Sequence, residues 1–196
     1  MTDRDRDIQP ITLPGYHHDV IFVELANLRQ AAGVVRYHTE PMMPKQTIAH
    51  HSYNMAMMAL RLWPEDHRLV EACLKHDTGE VRTGDIPAPA KWQWPQLKMA
   101  LADAEFDAEK SLGTYMTLTK LQSTRLRFLD IFELAWFCAE QYAMGNTYAR
   151  EIYKRILPAI LDIFIHNPQE FPSLGEAHRL YEALDNFIGT CHYARS

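Results

Sequence analysis

The sequence predicts an all-α globule of six or seven helices. Apolar residues recur at spacings of three and four rather than two. Glycine and proline fall at the ends of the periodic stretches, and strand-type alternation is nearly absent. Residues 19–32 carry Val20, Phe22, Val23, Leu25, Ala26 and Leu28, with Gly33 as a stop. Pro41 and Pro44 make 33–46 a loop. Helices are expected over 47–62, ended by Pro64, and over 65–77. Gly84, Pro87 and Pro89 make 82–92 an ordered loop. Further helices are expected over 95–112, over 118–144, and over 147–166 with a kink at Pro158. A last helix opens at Pro172-Ser173-Leu174-Gly175-Glu176, a proline followed by a capping box, and runs to about Gly189.

The 196 residues fit one domain over 19–196, with 1–18 as an N-terminal arm. A composition of 47% hydrophobic and 23% charged residues excludes a disordered or collagen-like chain. The net charge of −5 excludes the bulk basic field that duplex nucleic acid requires. Cys73, Cys138 and Cys191 are scattered and odd in number, which fits a reducing compartment. No apolar run reaches the roughly 18 residues of a membrane span, and the start MTDRDRDIQP has no signal-peptide core. The expectation is a cytoplasmic protein that contacts neither duplex nucleic acid nor a membrane.

Polar residues then interrupt apolar faces. His51 stands on the stripe Ile48, Met55, Met58, Leu62, whereas His50 faces the wetter side. Alone, such a histidine reads as a satisfied core residue. Leu69, Cys73, His76 and Glu80 form one line at spacings of four, three and four, and Val70, Leu74 and Asp77 form the adjacent line. Burying three ionisable groups at one helix end without partners costs several kcal/mol. A cation resolves this, because it neutralises carboxylate charge and uses imidazole lone pairs. Asp130 interrupts the stripe Leu126, Leu134, Phe137; as a structural residue it would cap a helix or pair with Arg36.

Taken in order, His51, His76-Asp77 and Asp130 give H…HD…D. This resembles the HD-domain metal phosphohydrolases, an all-helical superfamily. The closer resemblance spans residues 36–91 and 125–140: Arg36-Tyr37, His51-Ser52, and HDTGEVRTGDIPAPAK from His76 to Lys91. It is to the HD-domain 5′-deoxynucleotidases and the short phage dATP triphosphohydrolases. Tyr37 departs from the tryptophan usual there, a change that keeps stacking on the nucleoside. The (p)ppGpp hydrolases carry an acidic pair after the HD, whereas here Val81 follows Glu80. Dinuclear HD phosphodiesterases need histidines between the HD pair and the last Asp, and residues 78–129 contain none.

The resemblance therefore implies one divalent ion, Zn, Co or Mn ahead of Mg, held by His51, His76, Asp77 and Asp130. It implies that Glu80 positions or deprotonates water. Asp85 assists it or protonates the departing 5′-oxygen; its other reading is a turn residue bonding its own backbone. Arg36, Tyr37, Lys91 and Arg127 are the expected substrate contacts, and the Arg36-Tyr37 pair implies preference for a 2′-deoxy sugar. The expected reaction is hydrolysis of a dNTP, dATP first, to deoxynucleoside and triphosphate; the alternative is hydrolysis of a dNMP to deoxynucleoside and phosphate. Expected partners are a deoxynucleotide substrate and further copies of the chain.

Overall fold

A computed structural model describes residues 20–167, 179 and 182–186. Among the described residues 20–167 lie eight helices: α1 Val20–Ala32, α2 Ile48–Leu62, α3 His67–Lys75, α4 Glu80–Thr83, α5 Ala88–Gln93, α6 Pro95–Ser111, α7 Lys120–Ala143 and α8 Thr147–His166. Among the described residues there is no strand, only an isolated bridge between Val35 and Thr47. The expected arm over 1–18 lies outside the described residues, as does most of the helix expected over 172–189; 182–186 within it are helical. No helix among the described residues is long and apolar enough to cross a membrane.

The difference from the expected helix number lies in the segment read as an ordered loop. There, Glu80–Thr83 closes one short helical turn, and Pro87-Ala88-Pro89 starts another. A proline at the first positions of a helix gives up only an amide that has no intrahelical partner, so prolines here open α5 rather than exclude it. The helix expected over 65–77 ends sooner, at Lys75, with His76 as its C-cap. Leu74 correspondingly is exposed, while Leu69 and Cys73 are buried. At the other proline, helix α8 continues through Pro158.

Helix α7 forms the spine. Phe128, Leu129, Phe132, Ala135, Cys138 and Ala139 are buried along it, packed against α8, α2 and α3. Its start is fixed by a capping box between Thr119 and Gln122. Asp66 caps α3 through Leu69 N–H and also accepts from Gln122 and Arg125, so the starts of α3 and α7 are tied together. Such a cap contributes about 1 kcal/mol.

The 33–46 loop is anchored at both ends. Arg36 N–H donates to the Gln46 carbonyl at 2.8 Å, and Ile48 N–H to that of Val34 at 3.0 Å. The buried Gln141 side chain of α7 accepts from Met43 N–H and donates to Met43 C=O. These bonds set Arg36-Tyr37 beside the spine. Helix α4 packs on α6 at Gly79, where a Cβ would lie 2.7 Å from the Glu105 carbonyl oxygen.

Candidate metal centre and substrate cavity

His51 projects from α2, His76 from the C-cap of α3, Asp77 from the turn after it and Asp130 from α7. His51, His76 and Asp77 each present a ligand atom within 4.8 Å of one another, a cluster compatible with metal binding. Asp130 joins this group, with its Oδ1 3.2 Å from His51 Nε2. The two imidazole rings lie with centroids 5.3 Å apart.

The outer ring nitrogens are already engaged. His76 Nδ1 meets the Cys73 carbonyl at 3.0 Å, and His51 Nδ1 meets Glu133 Oε2 at 2.5 Å. The Nε2 atoms of both histidines are buried and lack a well-aligned hydrogen bond, although Asp130 Oδ1 stands 3.2 Å from that of His51 and Asp77 Oδ1 3.3 Å from that of His76. A buried polar atom without a partner costs roughly 1–3 kcal/mol. Two such atoms facing two carboxylates form a donor set that fits a divalent cation. Burial disfavours charge on His51, but the adjoining carboxylates of Asp130 and Glu133 outweigh it and bring the imidazole up to about 8.

Arg36 reaches the same carboxylates. Its Nη1 donates to Asp77 Oδ2 at 2.7 Å, and its Nη2 lies 3.8 Å from Asp130 Oδ1. The pairing with Asp130 considered from sequence is therefore present, as the weaker arm of a bridge to Asp77. Glu80 is buried with Oε2 unpartnered. Burial, with Asp77 and Asp85 nearby, pushes its carboxyl up to about 8. Such a group can exchange a proton near neutral pH.

Tyr37 has φ of 52°, left-handed for a residue with a side chain, which costs roughly 1–2 kcal/mol. Asp85 Oδ2 accepts its N–H at 3.0 Å. Asp85 thus bonds the backbone of a distant loop rather than its own turn. The Tyr37 ring stacks on Phe137 of α7, centroids 5.5 Å apart and 12° from parallel. The Arg36 guanidinium lies 5.6 Å from its centroid. Protein groups therefore already flank the ring that was expected to stack on a nucleoside. Burial pushes the phenol well above its usual value, so it stays neutral.

A cavity of about 590 Å³ opens in front of these groups. Arg36, Tyr37, Asp77, Glu80, Asp85, Lys91, Arg127 and Asp130 all line it. The structure thus brings the sequence candidates together, the two histidines standing behind Asp77 and Asp130. Lys91 also approaches Glu105 at 3.9 Å. Lys98 of α6 and Arg155 of α8 join the wall and were not singled out from sequence. Neither was Glu133. It stands on α7 between Leu129 at i−4 and Phe137 at i+4, both buried, the same kind of interruption that marked Asp130.

Residues 23–133, more than half of the chain, match the model of a family described as 5′-deoxynucleotidase YfbR-like. The match begins in α1 and ends at Glu133, so it takes in Arg36, both histidines, Asp77 and Asp130. The protein is a hydrolase acting on deoxynucleotides. It belongs to the YfbR-like 5′-deoxynucleotidase family. It is also similar to a dATP triphosphohydrolase of Cyanophage S-2L, 26% identical over 141 residues, covering 64% of this chain and 79% of that protein.

Proposed function

We propose that the protein hydrolyses a 2′-deoxynucleoside triphosphate, dATP first, to deoxynucleoside and triphosphate by attack of water at the α-phosphorus. The observation that carries this reading is the cation supply of the cavity. Arg36, Lys91, Lys98, Arg127 and Arg155 all line it. Arg36 faces the carboxylates of the metal cluster and Lys91 approaches Glu105. Among the described residues no ion pair is seen for Lys98, Arg127 or Arg155. A monophosphate needs fewer cations than this; a triphosphate brings about four negative charges. The similarity to a dATP triphosphohydrolase points the same way.

His51, His76, Asp77 and Asp130 would hold the divalent ion, which when bound polarises a phosphoryl oxygen and lowers the pKa of water. Arg36 supplies a guanidinium fork to the α-phosphate. Glu80 orients the attacking water, takes its proton and returns it to the departing 5′-oxygen. Asp85 fixes Tyr37 through the backbone bond, which sets the floor on which the deoxyribose rests. Lys98, Arg127 and Arg155 take the β- and γ-phosphates.

The family description favours a second reading, a dNMP 5′-nucleotidase that releases phosphate. Incubation with dATP and dAMP separately, with Mn²⁺, Co²⁺ or Zn²⁺, and identification of the products separates the two. Triphosphate and deoxyadenosine from dATP support the proposal. Turnover of dAMP alone supports the second reading, and equal turnover of ATP and dATP removes the sugar preference.

A further inference from the structure

Glu133 is a buried carboxylate surrounded by donors. Its residue exposure is 3%. Oε2 meets His51 Nδ1 at 2.5 Å, while Oε1 accepts from Gln46 Nε2 at 2.7 Å and from Asn54 Nδ2 at 3.0 Å. Gln46 is itself fully buried, and it comes from the loop that carries Arg36 and Tyr37. A carboxylate only accepts, so both amides must turn their NH₂ groups towards it and His51 must carry a proton on Nδ1. The geometry points to Glu133 as the positioning residue of the metal centre: it holds a proton on His51 Nδ1, so that Nε2, which faces Asp77 and Asp130, is the ring atom left to give its lone pair to a cation. This rests on the reading that His51 is a metal ligand. A carboxylate behind a ligating imidazole both orients the ring and raises its basicity.

Gln46 and Asn54 make the inference more specific than a general preference for charge. Both donate to the same oxygen, Oε1. An amide placed at position 133 must keep its carbonyl there unless both neighbours turn over. Its NH₂ then falls opposite His51 Nδ1 and donates to it. The ring responds by moving its proton to Nε2, the atom that must bind the metal. Glu133→Gln therefore changes one atom type, nearly preserves shape, and presents a hydrogen where a lone pair is needed.

The test is titration of the chelator-stripped full chain with Co²⁺, read from its visible absorption, alongside the far-ultraviolet circular dichroism of each variant. Glu133→Gln should keep the helical signal, weaken Co²⁺ binding by about 10- to 100-fold and alter the visible spectrum. In a His51→Ala background Glu133→Gln should have no further effect on Co²⁺ affinity. Unchanged affinity and spectrum in Glu133→Gln, or a full additional loss in the His51→Ala background, would overturn the inference. If the unaltered protein takes up no Co²⁺, the metal reading itself falls and this inference with it. Should Glu133→Gln not fold, ¹⁵N spectra of the histidines in the Zn²⁺-loaded unaltered protein give the answer. His51 bound through Nε2 with a slowly exchanging Nδ1–H supports the role, and binding through Nδ1 refutes it.

Discussion

Replacing Gly79 with alanine tests the approach of the HD-bearing turn to α6. The backbone at Gly79 is ordinary right-handed, with φ −59° and ψ −28°, so alanine suffers no conformational penalty there. By restricting the unfolded chain it gains up to about 1 kcal/mol. The obstacle is contact. The new Cβ would lie 2.7 Å from the Glu105 carbonyl oxygen and 3.0 Å from its Cα, both backbone atoms that no side-chain rotation moves. Helix α6 must shift, and overpacking of this kind costs roughly 1–3 kcal/mol. The net loss is about 1–2 kcal/mol, which for a chain of this length lowers the melting temperature by about 2–8 °C. Thermal unfolding followed by circular dichroism reads this directly. The same shift moves Glu105 relative to Lys91 and Glu80, so the rate should fall as well. A melting temperature equal to or above that of the unaltered protein would show that α4 and α6 are not in close contact and refute the reasoning.

Other perturbations separate the roles within the cavity. Glu80→Gln should retain Co²⁺ and lose about 10²–10⁴-fold in rate, measured as kcat at saturating substrate; near-normal turnover would move the acid–base role elsewhere. Lys98→Ala, Arg127→Ala and Arg155→Ala should each raise KM for dATP about three- to tenfold, the worth of an exposed charge contact near 1 kcal/mol, and leave dAMP kinetics unchanged. The effect should shrink as salt is added, and equal changes for both nucleotides would remove the phosphate-tail assignment. Asp85→Asn can still accept the Tyr37 N–H and should keep most activity, whereas Asp85→Ala should not; equal loss in both would restore Asp85 as a proton donor. Excess chelator should abolish turnover and Mn²⁺ or Co²⁺ restore it, with activity that survives chelation counting against the metal reading.

The candidate metal ligands that were legible in the sequence share one property: each contradicts the apolar face of its expected helix. His51 among Ile48, Met55 and Leu62, and Asp130 between Leu126 and Leu134, are polar atoms on apolar stripes, and helical periodicity alone exposes the conflict. His76 became visible through its line with Leu69 and Cys73, and Asp77 through the adjacent line of Val70 and Leu74, although the helix stops at Lys75 and the pair follows it. Glu133 obeys the same rule and was recoverable by the same count between Leu129 and Phe137. Its partners were not. Gln46 lies in a proline-containing loop where no period applies, and its place against Glu133 depends on how that loop is anchored to α7 by Gln141. Lys98 and Arg155 sit on exposed helix faces where a cation raises no conflict. Only the packing of α6 and α8 around one cavity gives them a common direction. Local periodicity can therefore locate the groups that the fold must compensate, namely the imidazoles and carboxylates clustered at the candidate metal centre. Groups that cost nothing where they stand, such as the cations for a phosphate tail, acquire meaning only from tertiary convergence. In the proposed function, substrate choice between one phosphate and three rests on the second kind of residue, which is why helical periodicity points to the candidate metal cluster and not to the substrate.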